Sequence, residues 1–217
     1  MEKNETSPKV KTVVITIHGQ ESIGENLKEL TRRLGLESFM KDCVFINIRY
    51  TKLWTIVNAL PWVRSMTAKY VASRLNAITL YEYPDAIIIT VGHSNGTRAT
   101  RIAMDMRLKP KKKWPQFRID HLLLLGCPIR RDYDWSKHPL TMVWNFVSSN
   151  DMVVWAARFY GMGTAGKNAF DYEPGNLTQY YVKWGHSGFM KHYTVIANCI
   201  RRIRKSAKPI MGRDDNG

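Results

Sequence analysis

The sequence predicts an α/β domain: a mostly parallel sheet of about six strands with helices on both faces. Three observations carry this. Apolar, β-branched runs alternate with segments of helical period, as crossover connections require. Nearly every run is continuously apolar, the pattern of strands covered on both faces. The chain of 217 residues, 44% hydrophobic, suits one globular domain, and no linker or internal repeat divides it.

In chain order, strands are expected at Thr12–Ile17, Val44–Ile48, Ala86–Val91, His121–Leu125, Thr141–Val147 and Leu177–Val182. Helical period places helices at Gly24–Leu34, Val63–Ile78, Gly96–Leu108, Val153–Tyr160 and Gly188–Arg204. In the last of these Phe189, Tyr193, Ile196, Ala197, Ile200 and Ile203 share a face, with arginines elsewhere. The domain is expected over 12–208, with polar tails at 1–11 and 209–217.

The opening "MEKNETSPKVK" is too polar for a secretory signal, and no apolar run approaches the roughly 20 residues that cross a bilayer. A cytoplasmic protein is expected. Cys43, Cys127 and Cys199 form no even framework and no C-x-x-C pair, which argues against structural disulfides and a zinc site. All three read as buried, reduced thiols. No cofactor is implied. The formal net charge is +15, with basic runs at Lys109–Lys113 and Arg201–Lys208. Such a field favours an anionic surface or polyanion; it also serves solubility alone. Oligomeric state is not legible.

In parallel sheets ligands bind beyond the carboxyl ends of the strands. Four strands end there in polar residues of a telling kind. The first gives His18-Gly19-Gln20, the third Gly92-His93-Ser94-Asn95-Gly96, the fifth Ser148-Ser149-Asn150-Asp151, and the sixth Trp184-Gly185-His186-Ser187-Gly188. G-x-S-x-G alone is a weak signal. Between a readable strand and a readable helix it is stronger, because a serine on so sharp a turn needs glycine two residues to either side.

These residues resemble the α/β-hydrolases, and more narrowly their small lipase and esterase-like members. "LLGCP" (Leu124 to Pro128) resembles the turn after the strand that follows the elbow helix. "SSNDMVV" (Ser148 to Val154) resembles the acid turn, and "GHSGF" (Gly185 to Phe189) the histidine turn. The chain order Ser94, Asp151, His186 is the order of that family. The likeness runs from about residue 12 to 204. It departs from the pattern in three ways. The two N-terminal antiparallel strands are missing, Thr97 stands where Gly or Ala is commoner, and no insertion forms a large cap domain.

The resemblance implies a serine hydrolase of carboxylic esters or thioesters that works through an acyl-enzyme. Ser94 would be the nucleophile, His186 its base and Asp151 the acid that orients the imidazole. The backbone amides of Gln20 and Asn95 would hold the oxyanion, supported by His18, Gly19, Gly92 and Gly96. Asp132 and Asp134 are rival acids; His18 and His192 (inside the last helix and half exposed) are substitutes for the base. His93 reads as a packing residue, and His121 and His138 as surface or loop residues.

Trp54, Trp62, Trp155 and Trp184 are candidates for an aromatic substrate pocket. The segment Arg49–Val63 is either a short cover over an acyl site or the start of the next helix. The expected partner is a small-molecule or lipid ester. The competing reading is a binding protein on a hydrolase-like scaffold that grips nucleic acid or another polyanion through its basic surface.

Overall fold

Six strands occur: β1 (Thr12–Ile17), β2 (Cys43–Ile48), β3 (Ile87–His93), β4 (His121–Leu125), β5 (Met142–Ser148) and β6 (Leu177–Val182). They form one all-parallel sheet in the order β2-β1-β3-β4-β5-β6. The computed structural model describes residues 12–18, 21–50, 61–109 and 114–206. Gly19, Gln20, Trp54, most of the proposed cover segment, residues 110–113 and 207–208 of the basic runs, and both expected tails lie outside the described residues.

The helices are α1 (Glu21–Leu36), α2 (Pro61–Asn76), α3 (Asn95–Arg107), α4 (Met152–Ala157), α5 (Ala165–Asn168) and α6 (Tyr193–Ser206). On one face of the sheet α2, α3 and α5 bury Ala68, Val71, Leu75, Ala99, Ala103 and Ala165 against Val13, Ile15, Ile17 and Leu124. On the other, α1 and α6 bury Leu27, Leu30, Ile196 and Ile200 against Val14, Ile89, Leu123 and Phe146. Adjacent residues of one strand thus enter different cores, which is why β1 reads TVVITI with all six residues buried.

Some boundaries moved. The helix expected over Val63–Ile78 starts at Pro61, ends at Asn76 and passes into a π-helical turn, Ala77–Glu82. The α4 segment tightens into a 3-10 turn at Arg158–Tyr160 and closes on Gly161 at φ 66°. The last helix is two pieces, a 3-10 turn at Gly188–Met190 and then α6, so His192 precedes the helix, exposed, instead of lying inside it. The cysteines are free, but Cys43 is only half-buried, unlike Cys127 and Cys199. Among the described residues, no helix is long and apolar enough to cross a membrane.

The strand order reverses at β1, which pairs with β2 on one side and β3 on the other. Such a switch point opens a crevice at the carboxyl ends. Register aligns that rim: Ile17 pairs with Gly92, His93 with Leu125, Leu125 with Phe146, and Ser148 with Val182. The turns that follow β1, β3, β4, β5 and β6 therefore leave the sheet side by side.

Candidate active site

Ser94 occupies the junction of β3 and α3 with φ 53° and ψ −127°. A non-glycine residue at positive φ is strained by about 1–2 kcal/mol and persists only where its neighbours hold it. Here they do. The Ser94 amide donates to the Leu125 carbonyl at 2.9 Å, and its own carbonyl accepts from the Thr97 amide at 3.0 Å and the Thr97 hydroxyl at 2.7 Å. Thr97 thus fastens the bend.

Two glycines make the turn feasible. A Cβ on Gly96 would sit 2.0 Å from the Ile17 carbonyl oxygen, and one on Gly92 about 3 Å from the Thr97 backbone. Asn95 opens α3, where first-turn amides have no intrahelical acceptor and point at any anion above them.

Asp151 follows β5 and His186 follows β6. Nδ1 of His186 lies 2.8 Å from Asp151 Oδ2 and 3.0 Å from Oδ1. A carboxylate accepts, so Nδ1 carries the proton and Nε2 presents a lone pair. Nε2 is buried and has no hydrogen-bond partner among the described residues, the Ser94 hydroxyl included. Asp151 is 1% exposed. Its Oδ1 also caps α4, accepting from the Val154 amide at 2.8 Å. Capping the helix and holding the imidazole are therefore done by one carboxylate. The Ser148 hydroxyl donates to the Trp184 carbonyl, tying the acid-bearing turn to the histidine-bearing one.

His93 is fully buried between the His186 ring (centroids 4.7 Å) and Phe189 (4.6 Å), and its Nε2 donates to the His186 carbonyl at 3.0 Å. Burial first, then the neighbouring His186, push its pKa down to about 3, so it stays neutral. It is a packing residue that also pins the histidine turn. Gly126, which the sequence did not single out, completes the shell. It has φ 55°, and a Cβ there would meet His186 Cε1 and Nδ1 at 2.8 Å and Asp151 Oδ2 at 3.2 Å. Its only sequence signal is its position after β4 in "LLGCP".

The rival acids make other contacts. Asp132 pairs with Arg130 at the surface, and Asp134 caps the 3-10 turn Trp135–Lys137 through the Ser136 amide at 2.9 Å. His18 is buried and stacked on Tyr50, with centroids 6.0 Å apart. His121 begins β4, at the opposite end of the sheet. His138 lies in a loop, one of the two readings expected, but is buried: it is 2% exposed and contacts the Tyr133 hydroxyl at 2.9 Å and Asp105 at 3.3 Å.

The aromatic candidates separate as well. Trp184 is buried in the core against Phe146 instead of forming an open wall. Trp62 is 61% exposed at the start of α2, and Trp155 is half-buried beneath Phe159 and Arg158. Among the described residues, no three His, Cys, Asp or Glu side chains gather into a metal-binding group.

This six-stranded parallel sheet with helices on both faces, a strained serine turn after β3 and polar turns after β5 and β6, is the α/β-hydrolase fold. Solved structures share it at low sequence identity. A gene product of Listeria innocua matches with TM-score 0.54 at 12% identity, over 91% of this chain and 96% of that one. A variant of SOBER1 from Arabidopsis thaliana matches with TM-score 0.52 at 14% identity, over 90% and 100%. A cold-adapted esterase from an Arctic intertidal metagenomic library, in a zinc-bound structure, matches with TM-score 0.51 at 12% identity, over 93% and 84%. No family model and no curated protein sequence matches the chain.

Proposed function

We propose that the protein is a serine hydrolase of carboxylic esters or thioesters. One observation carries this reading: a buried Asp151–His186 pair leaves Nε2 unpartnered among the described residues, at the rim where Ser94 is held in a strained bend. A fold neighbour that is an esterase supports ester chemistry.

A serine hydroxyl is a weak nucleophile until a base takes its proton. Substrate closes the gap that the free protein leaves between Oγ and Nε2, as happens in many such sites. Oγ then attacks the acyl carbon while its proton passes to Nε2. The oxyanion of the tetrahedral intermediate accepts from the amide of Asn95, a donor worth about 3–4 kcal/mol to the barrier. Collapse expels the alcohol or thiol, which takes the proton from Nε2, and leaves an acyl-serine. Water, deprotonated by the same nitrogen, attacks the acyl carbon; a second collapse releases the acid and returns the proton to Oγ. Asp151 keeps the proton on Nδ1 throughout.

A panel of p-nitrophenyl esters of increasing chain length, run beside a thioester, tests the reading. Hydrolysis by the wild type that falls about a thousandfold or more in kcat/KM for Ser94→Ala is expected. A folded wild type inert to every member, or a Ser94→Ala variant of equal activity, refutes it.

A further inference from the structure

A cavity of about 240 Å³ opens between the first two turns of α3, the segment following β4, and Gly161–Gly163 beyond α4. Each wall leads away from the candidate active site. The helix α3 starts beside Ser94, Pro128 lies two residues past the Gly126 that touches His186, and the helix capped by Asp151 ends at the third wall. Arg98 is four residues from Ser94, about 6 Å along the helix axis, and Arg101 about 10 Å.

Four cations line the space: Arg98, Arg101, Arg130 and Lys137, with Asp132 and Asp134. Most are already engaged. Arg130 is held by Asp132 at 2.6 Å and Arg101 by Asp105 at 2.6 Å, and Lys137 sits over the Tyr133 ring. Arg98 differs. Its Nη1 is buried without an acceptor among the described residues, and the charges that face it are those of Arg64 and Arg101. Burial, with those like charges, lowers its pKa to about 10. A half-buried guanidinium with one nitrogen buried and lacking an acceptor is costly to keep beside two like charges. Its planar fork matches a carboxylate or phosphate. The volume is small beside the roughly 300–1,000 Å³ of sites that hold a whole drug-sized ligand, and suits one acidic group.

We propose that this cavity is an anion subsite, centred on Arg98, that takes a carboxylate or phosphate carried by the ester substrate. The substrate assignment rests on the ester-hydrolase reading; the anion site itself does not.

Two measurements separate them. In the first, inorganic phosphate and glutarate are titrated calorimetrically into the Ser94→Ala protein and into the same protein carrying Arg98→Gln or Arg98→Lys. Thermal melts check that each variant is folded. Binding weakened about tenfold or more by Arg98→Gln, and less by Arg98→Lys, is expected. No anion binding, or binding that neither substitution weakens, overturns the site.

In the second, kcat/KM is compared for the mono-p-nitrophenyl ester of glutarate and a neutral p-nitrophenyl ester of equal length. The wild type should favour the anionic ester, and Arg98→Gln should lower that ratio about tenfold or more. Anion binding with an unchanged ratio would overturn the substrate assignment and leave a site for a free anion. Anion binding through Arg98 in a protein inert to all esters would overturn the hydrolase reading and keep the site.

Discussion

Asp151 accepts from the Val154 amide and from His186 Nδ1, so two substitutions there separate its roles. Asparagine keeps an oxygen for the cap but turns an amide toward the imidazole. Asp151→Asn should retain its melting temperature and lose ester hydrolysis by about 10³–10⁴-fold. Asp151→Ala should lose about 1 kcal/mol of stability besides. Equal activity in Asp151→Asn and wild type would contradict the positioning role.

His93 makes a prediction about pH. Folded, it is neutral with a pKa near 3; unfolded, it titrates near the ordinary value of about 6.5. Between those values the unfolded chain binds the extra proton. Stability therefore falls as pH drops, by about 1.4 kcal/mol per unit. Burial lowers the pKa of His121 too, and its contribution has the same sign. Going from pH 7 to 5 should cost wild type more than His93→Gln, by about 2 kcal/mol in denaturant unfolding; equal losses would contradict it.

At this scale the Asp151–His186 pair and the Ser94 bend were legible because each member lies within a few residues of a readable strand end. Gly126 was not, since its contacts are 25 and 60 positions away at Asp151 and His186. The burial of His138 was hidden for the same reason: its partner Asp105 sits on α3, a different element.

At the scale of elements, the elbow depends on α3 lying hard against β1. Gly96→Ala would drive a methyl into the Ile17 carbonyl and should destabilise the fold by about 1–3 kcal/mol. Gly126→Ala would push on the imidazole itself, so activity should fall further than stability alone explains. Gly175→Ala, which meets nothing within 4 Å, should change neither. Thermal melts beside ester kinetics read out the difference, and an active, stable Gly126→Ala would contradict the described packing.

Strands were legible to within one or two residues because their ends are marked by polar turns. Helix ends were less so. The apolar residues of Ala77–Glu82 continue the helical pattern past Asn76, yet the backbone there widens into a π turn whose Tyr83 amide reaches back to Ile78 at 2.9 Å. Nothing in residue type announces that change.

For the whole molecule, continuous apolar strands made the parallel, doubly covered sheet legible. Strand order was not, because it depends on which face each crossover takes. That order sets the crevice between β1 and β3, and register then gathers turns that are distant in sequence. Charge is distributed less simply than the sequence suggests. Within the second basic run, Arg204 is committed to Asp42 and the Phe39 carbonyl and Arg201 lies over the Phe39 ring, while Arg202 and Lys205 are exposed. Arg98, whose Nη1 is buried without a partner among the described residues, is outside both runs.

The central claim is that Ser94 is an activated nucleophile, and covalent labelling tests it most directly. Folded protein is incubated with a fluorophosphonate and the adduct located by mass spectrometry. A single adduct on Ser94, absent from Ser94→Ala and formed at least about a hundredfold more slowly in His186→Ala, is the expected result. No adduct on the folded wild type, or an adduct elsewhere with Ser94 untouched, would contradict the account.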